Sequence, residues 1–321
     1  MDIFSDKRIV MTLDAGGTNF VFTAIRGGKV ITSEIVLPSN GHNLEKCINT
    51  IKGGFHIIRE EINAQPAAIS FAFPGPSDYP NGIIGDLYNL PGFRGGVPLG
   101  AILESEFRLP VFINNDGDLY AYGEALGGIL PEINRNLEQA GSHRRYRNLA
   151  GLTLGTGFGG GLVSDNRLWI GDNSTAAEIW LFSNRSNPDV NAEELVSTRA
   201  VQHSYARLSG MEFNPSLMPR DIADIALSKK EGHAGAARTA FALLGKALGD
   251  TVANLLTLID GIVVIGGGIT GASALYMPAM MEELHSTFDQ GSGGKIPRLF
   301  QKVFNLDAEA EQSEFYLDHS K

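Results

Sequence analysis

The chain is expected to fold as two α/β domains facing each other across a cleft. Three observations carry that expectation. Strand-like and helix-spaced stretches alternate, the first half reading β-β-β-α-β-α-β. A glycine-turn hairpin opens near the start of each half, at Gly16-Gly17 and at Gly155–Gly161. The 39 glycines among 321 residues cluster at turns after strands instead of forming a repeat. The boundaries expected are 1–115 for the first domain and 116–321 for the second, with a tail that could return to the first.

Each element follows from its pattern. Arg8–Leu13, Phe20–Ile25 and Val30–Leu37 are β-prone and separated by glycine-bearing turns. Leu44, Cys47, Ile48, Ile51, Phe55 and Ile58 recur at helical spacing, which predicts a helix over about 43–63. An apolar run, Ala67–Phe73, ends at Pro74-Gly75-Pro76, and a helix over Pro98–Phe107 leads into Val111-Phe112-Ile113. Leu119–Leu126 is helical. In the second half, Leu149–Leu154 and Gly161–Val163 read as strands around a glycine turn. Helices are expected at Ala192–Leu208, Arg220–Lys229 and His233 to about Leu258. A strand, Ile262–Ile265, then precedes Gly266-Gly267-Gly268 and a further helix. Ile129–Asn148 is polar, carries Arg144, Arg145 and Arg147, and reads as a surface excursion that could be a dimer contact or a flap.

Composition narrows the function classes. Hydrophobic content of 43% and charged content of 19% describe an ordinary globular chain. A net charge of −10 disfavours nucleic-acid binding, which needs Lys and Arg, but leaves nucleotide binding open. Cys47 is the single cysteine, so neither an intrachain disulfide nor a cysteine-based zinc site is expected. The segment from Met1 to Asp14 lacks a signal-peptide core, and no stretch reads as a membrane span, so no membrane partner and a cytoplasmic location are expected.

Leu13-Asp14-Ala15-Gly16-Gly17-Thr18-Asn19 is the most informative segment. A strand delivers a carboxylate, glycines leave backbone N–H groups open as an anion nest, and a hydroxyl follows. Such a hairpin suits polyphosphate, and Asp14 suits Mg²⁺, which prefers oxygen ligands and keeps much of its water. The bland alternative is a tight turn. Leu154-Gly155-Thr156-Gly157-Phe158-Gly159-Gly160-Gly161 is a second cradle, with the Thr156 hydroxyl and glycine amides placed for β- and γ-phosphates. It leads into a strand, which argues against a dinucleotide-binding Rossmann unit.

Asn114-Asn115-Asp116-Gly117-Asp118 follows a strand and opens a helix, at the end of an α/β unit where ligands bind. Asp116 is the candidate base for a substrate hydroxyl, while a cap or turn role is assigned to Asn114 or Asp118. Glu178, alone among Ala177, Ile179 and Trp180, is either a surface residue or an anchor for a hydroxyl-rich ligand. Glu193 and Glu194 open a helix, where the dipole favours acids. Gly266-Gly267-Gly268 brings bare backbone against an adenine or ribose, or else against a neighbouring strand.

The order of these motifs resembles the ROK family of bacterial sugar kinases and repressors, in the actin-like, hexokinase-like ATPase superfamily. The resemblance spans about residues 8 to 285. It implies a two-domain actin-like (ribonuclease H-like) fold with a cleft between domains. Asp14, Gly16, Gly17, Thr18 and Asn19 resemble the first phosphate loop, and Thr156, Gly157, Gly159 and Gly160 the second. Gly267 and Gly268 resemble the adenosine segment. Pro74-Gly75-Pro76 and Asn89-Leu90-Pro91-Gly92-Phe93 match two sugar signatures, placing Gly75 and Asn89 at the sugar. Asn115-Asp116 matches the pair in which asparagine binds sugar and aspartate is the base.

The departures are specific. Family members carry Gly-Glu-x-Gly-His where this chain has Ala177-Glu178-Ile179-Trp180-Leu181. The glutamate stays and the histidine becomes Leu181. Trp180 either stacks on the sugar or fills space. The family's cysteine-rich zinc motif is replaced by Val190-Asn191-Ala192-Glu193, so no zinc site is expected. Ser197, four residues on, favours Glu193 over Glu194 as the sugar ligand.

The resemblance implies an ATP-dependent hexose kinase acting on the 6-hydroxyl. ATP and Mg²⁺ are its cofactors, with the ion at Asp14 through water, and dimers are common in the family. A DNA-binding repressor is disfavoured because the first loop starts at residue 14, leaving no room for the family's N-terminal helix-turn-helix. A non-catalytic sugar or nucleotide sensor is the remaining alternative. The preferred hexose is left open by Leu181.

Overall fold

The computed structural model describes residues 3–75, 77–87 and 90–319. The chain divides into two compact units, one formed by residues 1–119 and 170–176, the other by 120–169 and 177–321.

In the first unit, β1 (Val10–Ala15) and β2 (Asn19–Arg26) form the first hairpin, extended by β3 (Lys29–Val30) and β4 (Ile35–Pro38). Helix α1 (Leu44–Ile62) and β5 (Ala68–Ala72) follow, then α2 (Leu99–Phe107) and β6 (Val111–Asn114), while α3 (Asp116–Leu126) begins in this unit and passes into the other after Leu119. The six-stranded sheet runs β3-β2-β1-β5-β6, with β4 also on β2. β1, β5 and β6 are parallel, so their carboxyl ends lie on one edge of the sheet. Asp14 pairs with Ala72, and Ala72 with Asn114, which brings the first loop, the segment before Gly75 and the Asn115-Asp116 pair to that edge. Beneath them, Phe20, Phe22, Phe55, Phe71, Phe73 and Phe93 form a buried aromatic core. Neighbouring rings meet edge-on or tilted, 5.2–6.4 Å between centroids.

The stretch expected as one strand over 30–37 is two. The Thr32 hydroxyl accepts the Ala24 N–H at 2.9 Å, a bond a strand backbone would otherwise take, and the chain leaves the ladder.

In the second unit, α4 (Ile129–Gln139) precedes the hairpin of β7 (Asn148–Leu154) and β8 (Phe158–Ser164), with β9 (Arg167–Leu168) at its edge. A second small hairpin, β10 (Ser183–Asn184) and β11 (Asn187–Asn191), leads to α5 (Thr198–Ser209), α6 (Pro219–Ala226) and α7 (Ala234–Ile259). β12 (Ile262–Gly266) returns parallel to β7, completing the sheet β12-β7-β8-β9. Then come α8 (Ser273–Leu284), the hairpin of β13 (Thr287–Asp289) and β14 (Lys295–Pro297), and α9 (Glu309–His319).

Five expectations need correction. Residues 129–139 are not a polar excursion, because Leu130, Ile133 and Leu137 lie on one buried face of α4, whereas the arginine-bearing stretch 141–147 is mostly exposed. Abundant polar residues on the other face hid that stripe. The tail does not join the first unit: α9 buries Phe315 with Ile133 and Leu137 of α4. Residues 170–176, expected in the second domain, belong with the first unit. The helix expected from Ala192 to Leu208 is a short 3₁₀ turn, Ala192–Glu194, followed by α5. Finally, α7 is long and apolar enough to cross a membrane, with a mean hydropathy of 1.3, although 61% of that window is buried as core. Leu244, Leu248, Val252 and Leu255 pack among Leu152, Leu154 and Tyr276.

Candidate functional site

Three candidate site elements lie in the first unit. The turn after β1 needs glycine at Gly16, where a Cβ would approach the Asn19 carbonyl oxygen to 2.8 Å. Ser39, buried and unremarked in the sequence, ties this loop down. Its Oγ donates to the Gly17 carbonyl at 2.6 Å and its N–H to the Thr18 carbonyl at 2.9 Å. In a trans peptide the N–H opposes the C=O, so the Thr18 and Asn19 N–H groups turn away from Ser39. Asp14 closes β1 exposed. A free carboxylate beside a glycine turn with outward N–H groups fits a hydrated Mg²⁺ on phosphate oxygens.

Asn115 and Asp116 stand at the start of α3. The Asn115 Oδ1 accepts the Gly117 N–H at 2.7 Å, so Asn115 caps the helix, not Asn114 or Asp118. Its Nδ2 donors stay available. Asp116 Oδ1 accepts the same N–H at 2.9 Å, and the residue is exposed, with no ion pair among the described residues to hold it back from a ligand.

Gly75 is set by Tyr79. The Tyr79 hydroxyl donates to the Phe73 carbonyl at 2.9 Å and passes so near Gly75 that a Cβ would collide with it. Asn89 lies outside the described residues. Two residues beyond Gly75, Ser77 helps line a polar cavity of about 670 Å³, with Asp78, Asn81, Asp172, Asn173 and Thr175.

In the second unit, the β7–β8 turn is braced from three sides. Gly155 N–H donates to the Gly157 carbonyl at 3.0 Å, Thr198 N–H to the Gly155 carbonyl at 2.8 Å, and Phe158 N–H to Glu193 Oε2 at 3.0 Å. Thr156 remains exposed. A Cβ on Gly157 would stand 2.7 Å from that carboxylate oxygen and would push it aside. Gly160 lies under Ile179, whose Cδ1 would be 2.7 Å from a Cβ. Ile179 follows Glu178, so packing on Gly160 positions the Glu178 segment. Gly159 shares the half-exposed edge of β8.

Glu178 is half-buried and accepts a short hydrogen bond from the Trp180 indole N–H. Trp180 also packs against the core of the unit, so it fills space and steers the carboxylate. Leu181, in the family's histidine position, is 57% exposed. Glu193 and Glu194 separate in role. Glu193 is the less exposed and reaches the backbone of the β7–β8 turn, while Glu194 faces outward and pairs with Arg199, which holds its carboxyl below the usual range. Sequence reading missed Arg199. Its signal was an arginine five and six residues after two acids, across a turn.

Gly267 and Gly268 differ. Gly267 has φ +97° and lies against the Leu154 backbone, with the Leu154 nitrogen 2.7 Å from where a Cβ would be, so close packing alone demands glycine there. A Cβ on Gly268 would meet nothing within 4 Å, which leaves that backbone accessible. Among the described residues no group of three or more His, Cys, Asp or Glu side chains is gathered for a metal.

Comparisons with known proteins show the family. The ROK family model matches residues 10–301. An N-acetyl-D-glucosamine kinase from Vibrio cholerae is 27% identical over 283 residues, covering 82% of this chain and 85% of that protein. A glucokinase structure from Parabacteroides distasonis is 49% identical, with a TM-score of 0.90 over 98% of this chain and 86% of that one. A ROK glucokinase from Streptomyces griseus, solved with glucose and AMPPNP, is 19% identical with a TM-score of 0.60 over 86% of this chain and 88% of that one, and shares the fold. With two glycine hairpins, a carboxylate after β6 and the two-domain actin-like α/β architecture, the chain belongs to the ROK family.

Proposed function

We propose that this protein is an ATP-dependent hexose kinase that phosphorylates the sugar's 6-hydroxyl, with Asp116 as general base. The observation that carries the reading is Asp116 itself: exposed at the first turn of α3, without a cation partner among the described residues, beside the Nδ2 of Asn115, which none of those residues engages. The kinases named among its relatives support it. Asn115, Glu178 and Glu193 orient the sugar, and Gly75 and Asn89 are assigned to it as well. Asp14, Gly16, Gly17, Thr18 and Asn19 receive phosphate, as do Thr156, Gly157, Gly159 and Gly160. Gly268 meets the adenosine, with Gly267 shaping the turn. Asp14 is the residue that would hold a hydrated Mg²⁺ beside the phosphates, where the ion would supply charge neutralisation.

The sugar oxygen attacks the γ-phosphorus as its proton passes to the Asp116 carboxylate. The bond from that phosphorus to the bridging β-phosphate oxygen breaks, and ADP leaves. Positioning supplies most of the acceleration, since so little covalent chemistry falls to the protein. Trp180 on Glu178 and the exposed Leu181 leave sugar choice less restricted than an imidazole would.

The test is ADP release with Mg-ATP against glucose, mannose, fructose, allose, N-acetylglucosamine and N-acetylmannosamine. Turnover with one of these, reduced about 10²–10⁴-fold in Asp116→Asn with sugar binding kept, is the expected result. Undiminished turnover in that variant removes Asp116 as base. Silence with every sugar, while sugar or ATP still stabilises the fold, favours the non-catalytic sensor. A homodimer and a cytoplasmic location belong to the same proposal, and light scattering checks the former.

A further inference from the structure

Arg199 enters neither the resemblance nor the reaction above, yet it completes a chain of contacts within the second unit. Its Nε donates to both carboxylate oxygens of Glu194 at 3.1 Å, which fixes the guanidinium plane. Its Nη2 then reaches Glu193 Oε1 at 2.6 Å. The other oxygen of Glu193 accepts the Phe158 N–H, at the end of the second phosphate loop. One carboxylate thus holds a guanidinium with one oxygen and the phosphate loop with the other.

A carboxylate has about four lone-pair sites, and these contacts occupy two. The remaining pairs can accept sugar hydroxyls without breaking either bond. We infer that Glu193, held by Arg199, couples the sugar to the phosphate loop, so that sugar and nucleotide bind cooperatively, and that Arg199 is the positioning residue for this coupling. The inference rests on the kinase reading and deepens it.

The mechanism is geometric. With Arg199 in place, a hydroxyl bound to Glu193 is held by the same carboxylate that holds the Phe158 N–H beside the Gly155–Gly157 turn. Sugar binding therefore fixes the loop that must hold the phosphates. The loop has little slack, because Gly155 is tied to Thr198 at the start of α5 and Gly157 already lies against the Glu193 carboxylate. By linkage, nucleotide must tighten sugar binding by the same factor.

The experiment measures the dissociation constant of Mg-AMPPNP by calorimetry, with and without the saturating sugar that gives fastest turnover. Wild type is expected to bind the nucleotide at least about fivefold tighter with sugar present. In Arg199→Met that factor should fall below about twofold, with nucleotide affinity in the absence of sugar little changed and kcat lowered. Arg199→Lys should recover part of the coupling, because a single ammonium can hold Glu193 but cannot also grip Glu194 side-on. Gly157→Ala, which presses on the same carboxylate from the other side, should also uncouple the ligands. It serves as the second variant should Arg199→Met fold poorly. Wild-type coupling retained in both Arg199→Met and Gly157→Ala, or turnover in a wild type without coupling, overturns the inference alone. Absence of both turnover and sugar binding refutes the kinase reading and the inference with it.

Discussion

Removing the Asp250 carboxylate should destabilise the second unit by about 3 kcal/mol. Asp250 lies on α7, 1% exposed, and its Oδ1 accepts from Arg298 Nη2 at 2.6 Å. Its Oδ2 accepts the Arg185 N–H at 3.0 Å, so the same side chain pins the β10–β11 hairpin to α7. Asn184 adds a second pin through its Nδ2 on the Ala247 carbonyl at 2.8 Å. Arg298 is itself buried, between Asp250 and the Phe288 ring. In Asp250→Ala its guanidinium would keep Asn254 Oδ1 at 3.1 Å, but its Nε stays 4.0 Å from Glu283, too far for a hydrogen bond. Stranding one member of a buried ion pair costs about 3–5 kcal/mol, and the nearby Glu283 charge places this case at the lower end. Urea unfolding followed by tryptophan fluorescence reads the right transition, because Trp169 and Trp180, the chain's two tryptophans, both belong to the second unit. Asp250→Ala/Arg298→Met removes the stranded charge and should be more stable than Asp250→Ala by at least about 1 kcal/mol. A single variant costing under about 1 kcal/mol, or a double variant no better than the single, would refute the reasoning.

Two further outcomes are expected. Ser39→Ala removes the hydroxyl that holds the Gly17 carbonyl, a loss of about 1 kcal/mol that should appear as a roughly fivefold rise in KM for ATP with little change in KM for sugar; steady-state kinetics with each substrate varied checks it. Cys47 is fully buried, and burial pushes its thiol up to about 11 from 9.0, so the unfolded chain loses that proton first. The stability this contributes is whole below about pH 9 and drains away toward pH 11. Unfolding free energies across that window should fall more steeply for wild type than for Cys47→Ala; parallel curves would count against a buried thiol.

The sequence alone determined the alternation of strands and helices, the two glycine hairpins and the carboxylate after β6. These are local facts: periodicity follows from which face is buried, and a glycine turn or a strand-end aspartate needs only its neighbours in the chain. Helix α1 and the strands around Asp14, Ala72 and Asn114 therefore appeared near their expected limits. Leu130, Ile133 and Leu137 were equally present in the sequence, but only their burial showed α4 to be more than a polar excursion. Thr32 ended a strand by bonding Ala24 eight residues away, beyond any turn pattern.

Tertiary contacts decided the rest. Gly267 owes its glycine to Leu154, more than a hundred residues earlier, while Gly268 is left open to a ligand. Asn115 proved to be the cap because its side chain turned back on Gly117, a choice its neighbours Asn114 and Asp118 could equally have made. Glu193 was separable from Glu194 only once Phe158 and Arg199 were seen on either side of it. A carboxylate's role depends on which donors reach it in space, and chain order does not specify those donors until the units have packed.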